Sequence, residues 1–459
     1  MGAVRLARTP GAPAGQAGLA VSTARNERVC ESRCVASDVA SRLAAPLLLT
    51  LVACAATSHG PTYPARSLGV DVCARTPAYA EDSTFFASAE VDDATSFDLP
   101  SNGDLWPSCA WGDTLFAAWG DGYGFAPRGV GRRPDIGVAR IRGLPTDPAS
   151  LQGQNLVTDR HDVQAAFRVW TRGRYYQKPT GMLCRGGTVF LAVQDLDSRA
   201  YNAAPAATIA ASTDAGVTFR EPPVPMFLDG VFTTIMFLDQ GPGGRDAQDG
   251  YVYAYGLDFN WRGAPGVPSP QALYLARIAS GHDVQNRSQW EFFAGDAGNP
   301  AWTPDIEGRK PVLVDCTRRH GSSSTPGYPV IAQGGVVYDA SLARYLYTSW
   351  SEYTFEFYEA PTPWGPWRRF LSKDFGLPPW TPARHGGYGT SAPSLYVSDD
   401  GRTLWVQSST FSSGVDHYDL ALRRVRLVPR EPAQVGAGPA RLDGASSPDP
   451  AGSSTRSGR

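Results

Sequence analysis

The chain has 459 residues, and its 42 Lys and Arg nearly balance its 44 Asp and Glu, giving a formal net charge of −2 at pH 7. Without a strong net field the chain has little means of gathering nucleic acid or an anionic membrane surface, so neither is an expected partner. Its 49 Gly, 38 Pro, 12 Trp and 19 Tyr favour short strands, tight turns and flat rings suited to sugar faces.

The N-terminal residues 1–54 are predicted to be a leader with a signal segment. Residues 1 to about 34 are rich in Ala, Arg and Gly without an apolar period, and residues 41–54 combine an arginine with an apolar run too short to span a bilayer. Leu51-Val52-Ala53-Cys54 is similar to the bacterial lipobox, in which the cysteine is diacylated; an ordinary cleavage site is the alternative. We therefore expect an exported lipoprotein of a bacterial cell envelope, anchored through lipid on Cys54.

Residues 55–82 are predicted to be a linker, and residues 83–428 to be a single all-β domain. Five divergent units share a polar start, an apolar strand, a Gly turn and further β-rich strands. Their central strands are predicted at 114–119, 188–193, 251–255, 344–350 and 403–407. Five units predict a five-bladed β-propeller of the sialidase or arabinanase type. Residues 84–89 are expected to close the ring against the last blade, and residues 328–331 to begin unit four.

Two short motifs are predicted to be turns. Ser212-Thr213-Asp214-Ala215-Gly216-Val217-Thr218-Phe219 is similar to the Asp-box of sialidase-like propellers, whose aspartate caps a hairpin. Residues 398–403 are predicted to form another turn. The tail, residues 429–459, is Ala, Gly, Ser and Pro, which indicates disorder.

Four cysteines remain once the leader and Cys54 are set aside: Cys73, Cys109, Cys184 and Cys316. An even number in an exported protein permits disulfides. Cys109 and Cys184, in predicted inner strands, fit buried thiols better. No Cys-x-x-Cys pair occurs among them, so no zinc site is expected, and neither is another metal or a cofactor.

The strongest candidate for chemistry is a pair of aspartates in the first unit, Asp104 and Asp121. Trp106 and Tyr123 lie beside them in sequence and are expected to stack on a sugar. In a propeller the start of the first strand and the end of the second meet at one face, so the two carboxylates should lie together. Glycosidic cleavage needs such a pair. The alternative is that Asn-Gly-Asp and Gly-Asp-Gly only form turns.

Further residues are candidates for binding substrate hydroxyls near that face. These are Lys178, Asp258, His320, Glu352 and Tyr388. Each could equally be a paired surface group or a group that joins blades. Glu352 is also a candidate acid, since other five-bladed glycosidases draw three carboxylates from three blades.

Four stretches of the chain, residues 104–125, 273–277, 360–367 and 394–424, resemble the bacterial domain-of-unknown-function family 4185. The resemblance implies a five-bladed propeller. It also implies kinship with the endo-D-arabinanases of glycoside hydrolase family 183, which cut mycobacterial arabinan with two first-blade aspartates in retaining catalysis. Those roles fall on Asp104 and Asp121. The chain has Trp-Gly-Asp-Gly where the family commonly has Phe-Gly-Asp-Thr, and a long insert around residues 241–250.

The function expected from the sequence is therefore hydrolysis of a glycan. The substrate would be a furanose polysaccharide such as arabinan, cut internally by a monomeric exported enzyme. The alternative is a surface lipoprotein that binds polysaccharide without cutting it. The two differ in whether they need a close carboxylate pair.

Overall fold

The computed structural model describes residues 71–127, 135–156, 170, 175–197, 201–260, 269–351, 353–377, 387–412 and 417–431. All of them belong to one compact unit. Nearly all regular structure there is β, as the sequence predicts. The helices are one short α-helix and five 3-10 turns: α1 Val72–Arg75, Pro148–Ser150, Pro242–Gly244, Arg287–Gln289, Ile306–Gly308 and Ser394–Tyr396. No helix in these ranges has the length and apolar character needed to cross a bilayer.

Antiparallel pairing divides the described strands into five groups and one small ribbon. The N-terminal strand is β1, Phe86–Asp98. Group 1 contains β2 Asn102–Asp104, β3 Ser108–Trp111, β4 Thr114–Gly124, β5 Ile136–Arg142 and β6 Gln152–Asn155. Group 2 contains β7 Tyr175–Arg185, β8 Thr188–Asp197 and β9 Ala207–Ser212.

The later strands follow the same plan. Group 3 contains β10 Thr234–Asp239, β11 Tyr251–Leu257, β12 Ala272–Ala279, β13 Glu291–Phe293, β14 Trp302–Thr303 and β15 Pro311–Val314. The ribbon is β16 Arg318–Arg319 with β17 Tyr328–Pro329. Group 4 contains β18 Gly335–Asp339, β19 Arg344–Trp350, β20 Thr354–Ala360 and β21 Arg368–Asp374. Group 5 contains β22 Tyr388–Ser391, β23 Thr403–Ser412 and β24 His417–Pro429, together with β1.

The five groups contact one another in a closed series. β3 and β4 touch β7, β7 touches β10, β10 pairs in parallel with β18, β18 touches β22, and β2 returns to β23 and β24. One cavity is lined from all five groups, by Ser108, Met182, Met236, Val336 and Ser391 among others. β1 pairs antiparallel with β24, which confirms that the N-terminal strand completes the last sheet.

The apolar core is divided into five clusters, each between two neighbouring groups. Strand β4 shows why. Leu115 and Trp119 pack toward group 5, whereas Phe116 and Ala118 pack toward group 2. Because side chains alternate along a strand, a strand that is apolar at every position buries both faces of its sheet. The continuous run in β4 therefore produces a sheet sandwiched between two others.

The predicted turns are present. Asp214 accepts hydrogen bonds from Ser212 Oγ at 2.7 Å, the Thr218 backbone N–H at 2.9 Å and Thr218 Oγ1 at 2.6 Å. Asp400 plays a similar part, accepting from Ser398 Oγ at 2.6 Å. Both aspartates stabilise their own turns, as the sequence predicts.

Unit four begins later than the sequence predicts. The first strand of group 4 is β18, and residues 328–331 contribute only the two-residue strand β17. Val330 and Ile331 are fully buried, so the apolar run packs into the core without pairing in the sheet. Pro329 lacks the N–H that a central strand would donate, which accounts for the difference.

The cysteines also differ from the prediction. Cys109 and Cys184 form a disulfide that joins β3 to β7, so they are not buried thiols. Cys73 forms a second disulfide with Cys316. Residues 71–82, in the segment predicted to be a linker, therefore pack on the domain, where the Cys73 backbone N–H also donates to Gln271 at 3.0 Å.

Candidate active site

Asp104 is the last residue of β2, where the chain turns sharply. The Trp106 backbone N–H donates to the Asp104 carbonyl at 3.0 Å, and Leu105 between them has a φ of 73°. A hydrogen bond over two residues with a positive central φ is a strained γ-turn. The Leu105 N–H also donates to Ser409 Oγ at 2.6 Å, which fixes this turn against β23. Strained backbone of this kind is concentrated at functional sites in proteins.

Asp121 lies in a β-bulge opposite Asp104. In the β2–β4 pairing, Asn102 faces Gly124 but Asp104 faces Gly120, so extra residues of β4 loop out between these pairs. Asp121 has a φ of 51° in this bulge. Bulges re-aim side chains and are common beside active sites. The bulge directs the Asp121 carboxylate to the same point as that of Asp104.

That common point is the ammonium group of Lys178 on β7. Lys178 Nζ lies 3.1 Å from Asp104 Oδ1 and 2.6 Å from Asp121 Oδ2. Lys178 is 2% exposed, whereas the side chains of Asp104 and Asp121 are 12% and 27% exposed. Burial alone would lower the pKa of Lys178, but the charges and hydrogen bonds of the two aspartates raise it above its ordinary value. The lysine is therefore a buried cation with two anionic partners.

Two tyrosines stand beside the carboxylates. Tyr176 OH lies 3.5 Å from Asp121 Oδ2, and Tyr388 OH lies 3.5 Å from Asp104 Oδ2. Burial, followed by the charges of Asp121 and Asp104, raises the pKa of Tyr176 well above its ordinary value. Tyr176 is therefore a neutral donor at neutral pH. The site combines two carboxylates, one ammonium and two phenols at one end of β2, β4, β7 and β22.

The two carboxylate oxygens next to Lys178 must be close to each other. Since they share one nitrogen, their separation cannot exceed the two contact distances combined. The two carboxylates therefore approach each other closely enough to face one glycosidic bond.

The prediction that Trp106 stacks on a sugar is wrong. Trp106 is fully buried, packs against Trp119 with ring centroids 5.6 Å apart, and donates its indole N–H to the Gly103 carbonyl at 2.8 Å. Trp106, the last residue of the γ-turn, therefore anchors that turn in the core. Tyr123, the other predicted stacking residue, is half-buried, and its backbone N–H donates to Asn102 Oδ1 at 3.2 Å.

The other predicted binding residues divide into two classes. Tyr388 and Lys178 join the aspartate pair. Asp258 instead pairs with Arg309 at 2.7 Å and accepts from the Phe232 N–H at 2.9 Å, and His320 Nε2 lies 3.0 Å from Asp374 Oδ1. For these two the structure favours the alternative of a paired structural group. Glu352 and Cys54 lie outside the described residues.

Tyr176 and Ser409 are site residues that sequence reasoning missed. Tyr176 is two positions before Lys178 on β7, and residues two apart on a strand share a face, so a signal was present. Ser409 pairs with Tyr388 across β22 and β23, a register that the sequence does not reveal. Among the described residues no group of three or more His, Cys, Asp or Glu side chains could hold a metal ion.

Comparison with known proteins yields structural likeness alone. No family model matches the chain, and no curated protein matches it. A candidate hydrolase from Bacteroides ovatus is similar over 72% of this chain and 87% of its own, with 14% identity and a TM-score of 0.44. A candidate exo-β-1,3-galactanase from Bifidobacterium bifidum is similar over 77% and 98%, with 11% identity and a TM-score of 0.42. A GH43_1 enzyme from Xanthomonas citri complexed with xylotriose is similar over 73% and 91%, with 15% identity and a TM-score of 0.38. At these scores the likeness is too distant to assign a function.

Proposed function

We propose that this chain is a five-bladed β-propeller glycoside hydrolase that cuts a furanose polysaccharide such as arabinan, with Asp104 and Asp121 as its reacting carboxylates. The observation that carries the proposal is the convergence of both carboxylates on Lys178 Nζ. The five strand groups, with an apolar cluster between each neighbouring pair, support the number of blades. The arabinan substrate rests on the resemblance to family 4185.

The exposure of the two carboxylates supports a division of roles. Asp104 is the less exposed and lies beside Tyr388, which suits a nucleophile that attacks the anomeric carbon and forms a covalent glycosyl-enzyme. Asp121 is the more exposed, which suits an acid/base that exchanges protons with solvent. In the first step Asp121 gives a proton to the leaving oxygen. In the second it takes a proton from the water that releases the sugar.

The experiment incubates the purified full-length protein with D-arabinan, L-arabinan and other furanose polymers and measures released oligosaccharides. We expect cleavage of at least one polymer, with Asp104→Asn and Asp121→Asn each reducing the rate by about a hundredfold or more. Asp399→Asn is the matched control, because Asp399 is exposed in the turn before β23. Cleavage that survives both site substitutions would reject the assignment.

A non-catalytic glycan-binding protein is the second candidate function. The observation that favours it is the pairing of Lys178 with both carboxylates, because a nearby ammonium favours the charged form of a carboxyl group and so opposes proton donation. Measurable binding of a polymer, with no cleavage of any polymer tested, would support this candidate and exclude the hydrolase.

We also propose that the protein is exported and held at a membrane through lipid on Cys54. The support is the sequence Leu51-Val52-Ala53-Cys54 alone. We expect globomycin to block processing and Cys54→Ala to move the protein from the membrane fraction to the soluble fraction. Unchanged fractionation of the Cys54→Ala protein would contradict the anchor.

A further inference from the structure

The charged end of Lys178 is almost wholly inaccessible to water. At 2% exposure it cannot offer its ammonium to a bulky sugar, which was the role predicted for it. Its ammonium instead serves the site itself: it contacts Asp104 and Asp121, and Nζ lies 5.1 Å from the centroid of the Tyr176 ring. A buried charge persists in a protein only when it is paired.

We infer that Lys178 is a positioning residue: its ammonium crosses from group 2 to group 1 and holds the Asp104 and Asp121 carboxylates together as a close pair. Two carboxylates this close repel each other and would otherwise share a proton or separate. The inference rests on the proposed function for its catalytic meaning, but the ion-pair geometry stands without it.

The backbone around the ion pairs is shaped to admit the lysine. A Cβ atom added at Gly120 would lie 2.4 Å from Asp104 Oδ1 and 2.7 Å from Lys178 Nζ. Those distances are far inside van der Waals contact, so a larger residue at this position would displace the side chains of the ion pair. The register of β7 also shifts between Pro179 and Gly181, immediately after Lys178, which places a second bulge beside the site.

The first test measures stability and needs no activity. The full-length protein, Lys178→Met and Lys178→Arg are unfolded in urea between pH 4.5 and pH 7.5. Without the ammonium, the carboxylate pair gains stability by taking up a proton, so we expect the unfolding midpoint of Lys178→Met to rise as pH falls. The wild type is the reference: its ammonium stays in place throughout this range, so the difference in midpoint between the two proteins should narrow as pH falls. Lys178→Arg keeps the charge and should follow the wild type in direction.

The control is Lys373→Met. Lys373 pairs with Asp93 at 2.7 Å, but its side chain is 32% exposed, so its loss should change the midpoint little and without a distinct pH dependence. If Lys178→Met showed a constant deficit at every pH, as a merely structural lysine would, the inference would be overturned.

Gly120→Ala provides a second test that removes no charge. The new methyl group would push Asp104 away from Lys178, so we expect a lower midpoint and at least a tenfold loss of cleavage with the ion pair weakened. Gly281→Ala is the control, because a Cβ there meets nothing within 4 Å. Equal behaviour of the two glycine variants would contradict the close packing on which the inference depends. If Lys178→Met does not fold, Gly120→Ala still tests the positioning role of Lys178.

The activity readout separates this inference from the proposed function. If the wild type cleaves a polymer, the pH profile of kcat/KM for Lys178→Met should move to higher pH on both limbs, whereas lost packing alone would lower the rate without moving the profile. A lowered but unmoved profile would overturn the positioning role. If the wild type cleaves no polymer, the hydrolase proposal fails, and the pH dependence of the urea midpoints still decides the role of Lys178.

Discussion

Asp214 and Asp339 are turn aspartates whose surroundings shift their pKa values in opposite directions. Partial burial tends to raise the pKa of Asp214, but hydrogen bonds from Thr218 and Ser212 lower it to about 2. Burial raises the pKa of Asp339 to about 6, although the backbone N–H groups of Leu342 and Ser341 oppose the shift. A shared turn role therefore does not produce a shared electrostatic effect.

Asp339 is expected to make the protein less stable at neutral than at mildly acidic pH. Its folded pKa of about 6 lies above the unfolded value of about 3.9, so its contribution is full below the unfolded value and is lost as pH rises through the folded one. The effect should reach at most about 3 kcal/mol between pH 4 and 7. Asp339→Asn should remove this part of the pH dependence, measured as the free energy of unfolding. Asp399→Asn, in the adjoining exposed turn, should retain it.

Trp106 and Tyr123 were predicted to share a stacking role, and the structure separates them. Trp106→Ala should lower the free energy of unfolding by about 3–5 kcal/mol, because it empties a fully buried ring site under the γ-turn. Tyr123→Ala should lower the free energy of unfolding less than Trp106→Ala does, because the Tyr123 ring is half-buried. It should also weaken the binding of glycan. Urea unfolding and a glycan-binding assay on both variants test this. Equal stability losses would contradict the assignment.

At the residue scale the sequence predicts that Asp104 and Asp121 lie together, but not how they are held. Asp104 and Asp121 follow from the rule that the first strand's start and the second strand's end share a face. The bulge at Asp121 is indicated in the sequence only by its flanking glycines. The bulge that follows Lys178 is indicated by Pro179, since proline within a sheet is confined to edge strands and bulges. The pairing of Lys178 with both aspartates depends on contact between groups 1 and 2, which no local pattern encodes.

At the element scale the apolar periodicity located most strands. It was wrong for residues 328–331, where an apolar run is buried outside the sheet. Apolar character records burial, and burial does not require pairing in a strand. The disulfides were missed for a related reason: the Cα atoms of Cys109 and Cys184 are 5.4 Å apart because β3 meets β7, which spacing in sequence cannot show.

The Cys109–Cys184 disulfide links the two groups that supply the site. It closes a sequence separation of 75 residues, for which the loop-entropy model gives about 4 kcal/mol of stabilisation. We expect Cys109→Ala/Cys184→Ala to lower the free energy of unfolding by about 2–4 kcal/mol, as measured in urea without reductant. Reductant should then affect this variant less than the wild type. No difference between variant and wild type would indicate that the link is not formed.

At the scale of the whole molecule, the closed series of contacts makes each strand group depend on two neighbours. Group 5 is completed only by β1, which comes from the other end of the domain and pairs with β24. Hydrogen bonds between β1 and β24 thus join the first and last strands of the described domain, and the site on β2 follows directly after β1. Stability of the closure and integrity of the site should therefore be linked.

Val91 provides the test of that linkage. It is 5% exposed in β1, faces Val425 across the closing pair, and packs in the cluster between groups 4 and 5. Val91→Asp would bury an unpaired charge there, so we expect a loss of about 3 kcal/mol or more in the free energy of unfolding. Because each group shares an apolar cluster with each of its neighbours, tryptophan fluorescence and far-ultraviolet circular dichroism should shift together in a single transition. Glu90→Gln, at the neighbouring exposed position, should leave both curves unchanged. Separate transitions for the two probes in Val91→Asp would show that the remaining groups stay folded when the closure opens.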